Sequence, residues 1–170
     1  MARVLVVDDS PEDRYLAALV IRSRNHEAAE AASAVEALEL IRKEPQDLVV
    51  TDLLMPGMDG YEFVGALRAD DVLESTRVLF LSALYDASEL VQLELAFPGC
   101  RFLAKPADPE QLLAAVESAL AAPPPARTPA ADDVQAARLP NRLLSHLRPI
   151  GSAERDVRLG HAAPRARSAA

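Results

Sequence analysis

The chain has 170 residues, a formal net charge of −8, 50% hydrophobic residues and only 4% aromatics, with no Trp. That length suits one domain plus some extra sequence, and that composition a core of aliphatic side chains and Ala. No run of eighteen apolar residues occurs, and Met1-Ala2-Arg3 leads straight into an apolar stretch without the parts of a secretory signal, so neither a membrane span nor export is expected.

Arg3-Val4-Leu5-Val6-Val7 reads as a first strand, buried on both faces and ending in Asp8-Asp9. Ser10-Pro11-Glu12-Asp13 then reads as a helix start, with Ser10 as cap, Pro11 at the first helical position and acids in the first turn. Leu16, Leu19, Val20 and Ser23 continue it at i, i+3, i+4, i+7 spacing. A weak second strand is expected over 26–31, although its Ala/Glu composition favours helix. Ser33-Ala34-Val35-Glu36 has the form of a capping box, and Ala34, Ala37, Leu38 and Ile41 make the stripe behind it. Pro45 ends that helix.

A third strand, 48–51, delivers Asp52 into the turn-rich stretch Leu53-Leu54-Met55-Pro56-Gly57-Met58-Asp59-Gly60. Gly60, Phe63, Val64 and Leu67 repeat helical spacing. A fourth strand, 77–81, ends at Ser82-Ala83, and a fourth helix is expected over 88–96, broken by Pro98-Gly99. Arg101-Phe102-Leu103 is a short fifth strand ending at Lys105-Pro106. Asp108-Pro109-Glu110-Gln111 starts a last helix, 109–121, whose core face is Leu112, Leu113, Val116 and Leu120. Strict alternation predicts an α/β fold, a (βα)5 doubly wound parallel sheet covered on both faces, with right-handed crossovers.

After Ala121 the texture changes. Seven of the 13 prolines lie beyond it, including Pro123-Pro124-Pro125. The expected organisation is therefore a domain over 1–121 and a largely disordered Pro/Ala/Arg-rich tail over 122–170, with no recognisable output domain. Residues 1–121 carry 10 Lys+Arg against 22 Asp+Glu, net −12, and the tail 8 Arg against 4 acids, net +4. An acidic domain is a poor direct binder of nucleic acid, which is not expected as a partner. The Leu/Arg stretch 138–148 reads as flexible tail rather than a partner-binding helix. The single Cys100 has no disulfide partner and no ligand partner at metal spacing, and reads as an ordinary small buried residue of a protein in a reducing cytoplasm.

If the strands are parallel, Asp8-Asp9, Asp52, Ser82 and Lys105 share one sheet edge, the edge where such sheets bind ligands. Clustered carboxylates repel and call for a compensating cation, and hard oxygens suit Mg²⁺. With Lys105 as a fixed charge and Ser82 as a donor, one free carboxylate meets the demands of phosphoryl transfer, in which a carboxylate can itself be the nucleophile. No His, Cys or Ser/His pair competes for that role; His26, His146 and His161 are scattered and read as solvated.

On these residues the sequence resembles the receiver domain of two-component response regulators over 3–121. The family pattern is an acidic pair after strand one, an Asp after strand three, Thr or Ser after strand four and Lys-Pro after strand five. The resemblance implies the flavodoxin-like strand order 2-1-3-4-5 and a phosphorelay role. Asp52 would accept phosphoryl from a histidine kinase or phosphotransfer protein. Asp9, Asp52 and the Leu54 backbone carbonyl would ligate Mg²⁺, with Asp8 acting mostly through water. Lys105 would pair with Asp52 and then with the phosphoryl group, Ser82 would turn toward it, and Phe102 would be the switch aromatic. The Lys105–Pro106 peptide would be cis. The responding face would be the fourth helix, the fifth strand and the last helix, read by an unidentified downstream protein.

Three departures stand out. Ala107 replaces a frequent Phe, the last helix has no Arg or Lys, and Pro98-Gly99-Cys100-Arg101 replaces the usual approach to strand five. The charged dimer face of the family is thus not supported, and a monomer or a weak phosphorylation-dependent dimer is expected. Beyond assisting its own phosphorylation and dephosphorylation, no enzyme activity is expected. The competing readings are a phosphorylation-independent pseudo-receiver and a truncated regulator with a reduced DNA-binding tail.

Overall fold

Five strands pair in parallel in the computed structural model, in the order β2-β1-β3-β4-β5. They are β1 (Arg3–Val7), β2 (Glu27–Ala31), β3 (Leu48–Asp52), β4 (Arg77–Ser82) and β5 (Cys100–Ala104). Four helices are described: α1 (Pro11–Arg22), α2 (Ala34–Lys43), α3 (Gly60–Arg68) and α4 (Pro109–Ala121). The structure describes residues 1–83, 90, 93, 94, 97 and 99–125. The helix expected over 88–96 therefore lies largely outside the described residues, as do 126–170 with the 138–148 stretch.

The apolar runs are continuous because both faces of the sheet are covered. Leu5, Val7, Val49, Val78 and Phe80 face α2 and α3, where they meet Leu38, Ile41, Phe63 and Leu67. Their neighbours Val4, Val6, Leu48, Val50 and Leu79 face α1 and α4, against Ala18, Ile21, Leu112 and Val116. Each fully buried Val, Leu, Ile or Phe contributes roughly 1.5–3 kcal/mol, before the entropy of ordering is charged against it.

The helix starts follow the side chains that cap them. Ser10 accepts from the Asp13 N–H, and Pro11 opens α1. Asp59 with Glu62 and Asp108 with Gln111 form reciprocal capping boxes at α3 and α4. The box expected at Ser33 is only half made. Ser33 accepts from the Glu36 N–H, but the Glu36 carboxylate reaches past it to the Ala32 N–H at 2.8 Å.

One further expectation is corrected by long-range packing. His26 is not solvated: its side chain is 9% exposed, its Nδ1 accepts from the Ala2 N–H, and its Nε2 donates to Glu117 on α4 at 3.0 Å. The chain also stays on the domain past residue 121. Arg77 Nε donates to the Ala122 carbonyl at 3.0 Å, and a Cβ at Gly99 would run into the Pro125 ring. Gly99 has φ +81, so glycine is needed there on two counts.

Candidate functional site

Register brings the strand ends together. Val7 lies beside Thr51, Asp52 beside Leu81, and Ser82 beside Ala104. The residue after each carboxyl end therefore emerges at the same edge. Lys105 is held there by its own backbone, whose N–H donates to the Ser82 carbonyl at 2.7 Å. The Lys105–Pro106 peptide is cis.

Asp8, Asp9 and Asp52 each offer a carboxylate oxygen, all within 4.8 Å of one another. Two unit charges at that spacing repel by about 3 kcal/mol at an effective dielectric constant of 20. Asp8 is buried, Asp52 half-buried and Asp9 exposed. Asp8 uses both oxygens: Oδ1 accepts from the Ser10 N–H at 2.9 Å, and Oδ2 from Lys105 Nζ at 2.9 Å. Lys105 Nζ lies further from Asp52 Oδ2, at 3.6 Å, and from Asp13 Oδ2, at 3.5 Å. Arg14 reaches the cluster by donating to the Asp8 backbone carbonyl at 2.7 Å.

Asp52 is steered from the loop after β3. Its Oδ1 accepts from the Leu53 N–H at 2.7 Å, and the Leu54 N–H also favours its negative charge. Gly60, the first residue of α3, is pressed against it, since a Cβ there would stand 2.8 Å from the Asp52 carbonyl oxygen and 2.9 Å from Phe80. No other residue lets α3 start so close.

The electrostatics follow from these contacts. Burial raises the Asp52 pKa, and the Asp8 charge adds to it, against the opposing pull of Lys105 and the two backbone N–H groups. Burial works against the Lys105 charge, but the hydrogen bond it donates to Asp8 and the nearby Asp52, Asp8 and Asp13 carboxylates outweigh it and raise its pKa. Even with the Arg14 guanidinium beside it, one ammonium facing four carboxylates leaves the edge negative. Asp9 and Asp52 retain oxygens that no described side-chain donor occupies. Hard carboxylate oxygens with backbone carbonyls nearby are the donor set that Mg²⁺ takes, so the residues present fit that ion.

The two remaining residues singled out in the sequence are buried. Ser82 is buried at the end of β4. Phe102 is buried too, its ring stacked on Phe80 at 4.8 Å, within a cluster completed by Tyr61 and Phe97. Sequence reading missed Asp13, Arg14 and the Tyr61–Phe97 contact. Asp13 had a signal, being one turn inside a helix that starts at the site; the aromatic cluster had none, because its members lie in four separate segments.

Three comparisons place this arrangement among known proteins. A family model described as "Response regulator receiver domain" matches residues 4–117. The chain is 30% identical over 122 residues to protein PilH of Pseudomonas aeruginosa, covering 71% of this chain and 99% of that one. It is 31% identical over 118 residues to sporulation initiation phosphotransferase F of Bacillus subtilis, covering 69% and 93%. Among solved structures, the Vibrio cholerae chemotaxis protein CheY4 superposes with a TM-score of 0.63 at 33% identity, covering 70% of this chain and 98% of that one.

Proposed function

Because the chain belongs to the response regulator receiver domain family, we propose that it is a phosphorelay receiver that takes a phosphoryl group on Asp52 from a histidine kinase or phosphotransfer protein. The observation that supports this best is the meeting of Asp52 with Asp8, Asp9 and Lys105 at one strand edge. Receiver domains are signalling modules rather than enzymes with a separate substrate, and the same holds for this reading.

An Asp52 carboxylate oxygen attacks the phosphorus of the donor phosphohistidine. The P–N bond breaks, an acyl phosphate forms, and the electron pair leaves with the donor imidazole. Raised basicity of the carboxylate suits it as a nucleophile, and Lys105 keeps a positive charge within reach of the transferred oxygens. Asp8, Asp9, Asp52 and the Leu54 carbonyl would hold Mg²⁺, which when bound neutralises charge on the phosphoryl oxygens. The phosphoryl group adds about −1.5 to −2 charge and new acceptor oxygens. Ser82 and Lys105 respond to it, and Phe102 carries the response to the face formed by β5, α4 and the 88–96 segment. That is a shift between populations, which a downstream protein reads by preferring one of them. In this reading the functional unit is 1–121 and acts in the cytoplasm.

Incubation with acetyl phosphate and Mg²⁺ should add one phosphoryl group, seen by intact mass, to the wild type and none to Asp52→Ala. Equal labelling of both would sink the assignment. Labelling of wild type that survives complete removal of divalent ions would remove Mg²⁺ from it.

A further inference from the structure

Single exposed apolar side chains are ordinary, whereas a contiguous set asks for a cover. Tyr15, Leu16 and Leu19 are 56%, 56% and 50% exposed, and all three stand on α1. Ala17, Ala18 and Ile21 form the buried side of that helix. Glu12, Tyr15, Leu16 and Leu19 are linked by i+3 and i+4 steps, so they form one outward stripe. Among the described residues, the other large exposed apolar side chains, Met1, Val35, Leu54 and Val72, lie in separate parts of the chain.

The same chain carries a segment of matching chemistry. Residues 138–150 set Leu139, Leu143, Leu144, Leu147 and Ile150 among Arg138, Arg142 and Arg148, with no acid between. The stripe on α1 is flanked at its start by Glu12 and Asp13, in a domain of net −12 facing a tail of net +4. Twelve residues separate Pro125, the last described residue, from Arg138. Extended, they span up to about 40 Å, which exceeds the size of a domain with a radius of gyration near 13 Å. A tether of this length also holds the segment at an effective concentration on the order of millimolar, so a weak contact suffices.

We propose that residues 138–150 dock on the outer stripe of α1, the leucines against Tyr15, Leu16 and Leu19 and the arginines beside Glu12 and Asp13. Asp13 also lies 3.5 Å from Lys105 Nζ, so the docked segment borders the acidic edge. The docking stands on these two surfaces alone.

The test uses the full chain carrying His146→Cys and a nitroxide spin label, with Cys100→Ala removing the native thiol. The amide signals of Tyr15, Leu16 and Leu19 should fall at least threefold relative to the reduced label. Those of 60–68, on the opposite face of the sheet, should fall less. Either Leu143→Ser/Leu147→Ser or Leu16→Ser/Leu19→Ser should restore the α1 signals, and Leu16 and Leu19 are half exposed rather than part of the core. Uniform loss over the whole domain, no loss at α1, or loss that survives both double substitutions overturns the proposal. Loss that grows with protein concentration also overturns it, because the occupant is then a second copy. None of these readouts involves phosphorylation, so failure at Asp52 and failure at α1 are told apart.

Discussion

The two edges of the sheet treat charge in opposite ways. At the carboxyl edge, Asp8, Asp9, Asp13 and Asp52 face one ammonium, and burial raises the Asp52 pKa rather than lowering it. At the amino edge, charged groups mostly meet acceptors, although Arg68 Nη2 is buried without a hydrogen-bond partner among the described residues and burial works against the Arg68 charge. Arg68 donates to the carbonyls of Glu74 and Thr76 at 2.7 and 2.8 Å, and lies beside the buried Cys100 thiol. Arg77 donates to Ala122, and Asp47 accepts from the Arg3 N–H. A charge answered by a backbone group fastens the fold. A charge left in excess is strained in the free protein and is relieved only by something bound. The amino edge is thus built for stability, and the carboxyl edge at the expense of it.

Four changes break or sharpen this contrast. The largest effect is expected from Arg68→Ala, which strands two carbonyls at the α3–β4 connection; a loss of about 3 kcal/mol in denaturant unfolding is expected. A loss below 0.5 kcal/mol would mean that these contacts do not fasten the edge. Next comes Cys100, whose thiol burial pushes up to about 11, against 9.0 for the free group, with Arg68 pulling the other way. The unfolded chain releases this proton first as pH rises, so stability is intact below pH 9 and declines between pH 9 and 11. The loss is on the order of 2 kcal/mol. Wild type and Cys100→Ala should diverge over that window and run parallel at neutral pH.

At the carboxyl edge the sign reverses. A raised folded pKa means that ionised Asp52 costs stability at neutral pH. Asp52→Asn should therefore raise the melting temperature in chelator. Added Mg²⁺ should stabilise the wild type and leave Asp52→Asn nearly unmoved; a destabilised Asp52→Asn would show that the carboxylate is a net structural asset. The smallest effect belongs to Arg3→Ala. Its side-chain pairs with Glu27 and Glu44 are about half exposed on both sides, and surface pairs of this kind contribute 0–1 kcal/mol. A change within 0.5 kcal/mol is expected by the same unfolding measurement, and a larger one would make the amino edge depend on surface pairs as well.

Most of the fold is written in local pattern. The Val/Leu runs of β1, β3 and β4 are too apolar to face water on either side, and the cap residues Ser10, Ser33 and Asp108 mark three helix starts within one residue. β2 was the weak point, because Glu-Ala-Ala-Glu-Ala has helix-forming composition; pairing with β1 over five residues overrides it. His26 could not be placed from sequence, since its partners are Ala2 and Glu117, 24 and 91 residues away. The half-made box at Ser33 shows the same limit at short range: the motif is present, but backbone direction at Ala32 decides which N–H the carboxylate reaches.

By itself the sequence determined which residues end each strand, and therefore which polar groups share an edge once the strands are parallel. Asp8, Asp9, Asp52, Ser82 and Lys105 were legible for that reason, since strand ends are local features. Only the tertiary structure decided how they divide their contacts. Lys105 takes Asp8 at 2.9 Å before Asp52 at 3.6 Å, Asp13 joins from α1, and Gly60 brings α3 against the Asp52 backbone. Those choices depend on distances between segments up to 97 residues apart, and no local pattern encodes a distance of that kind.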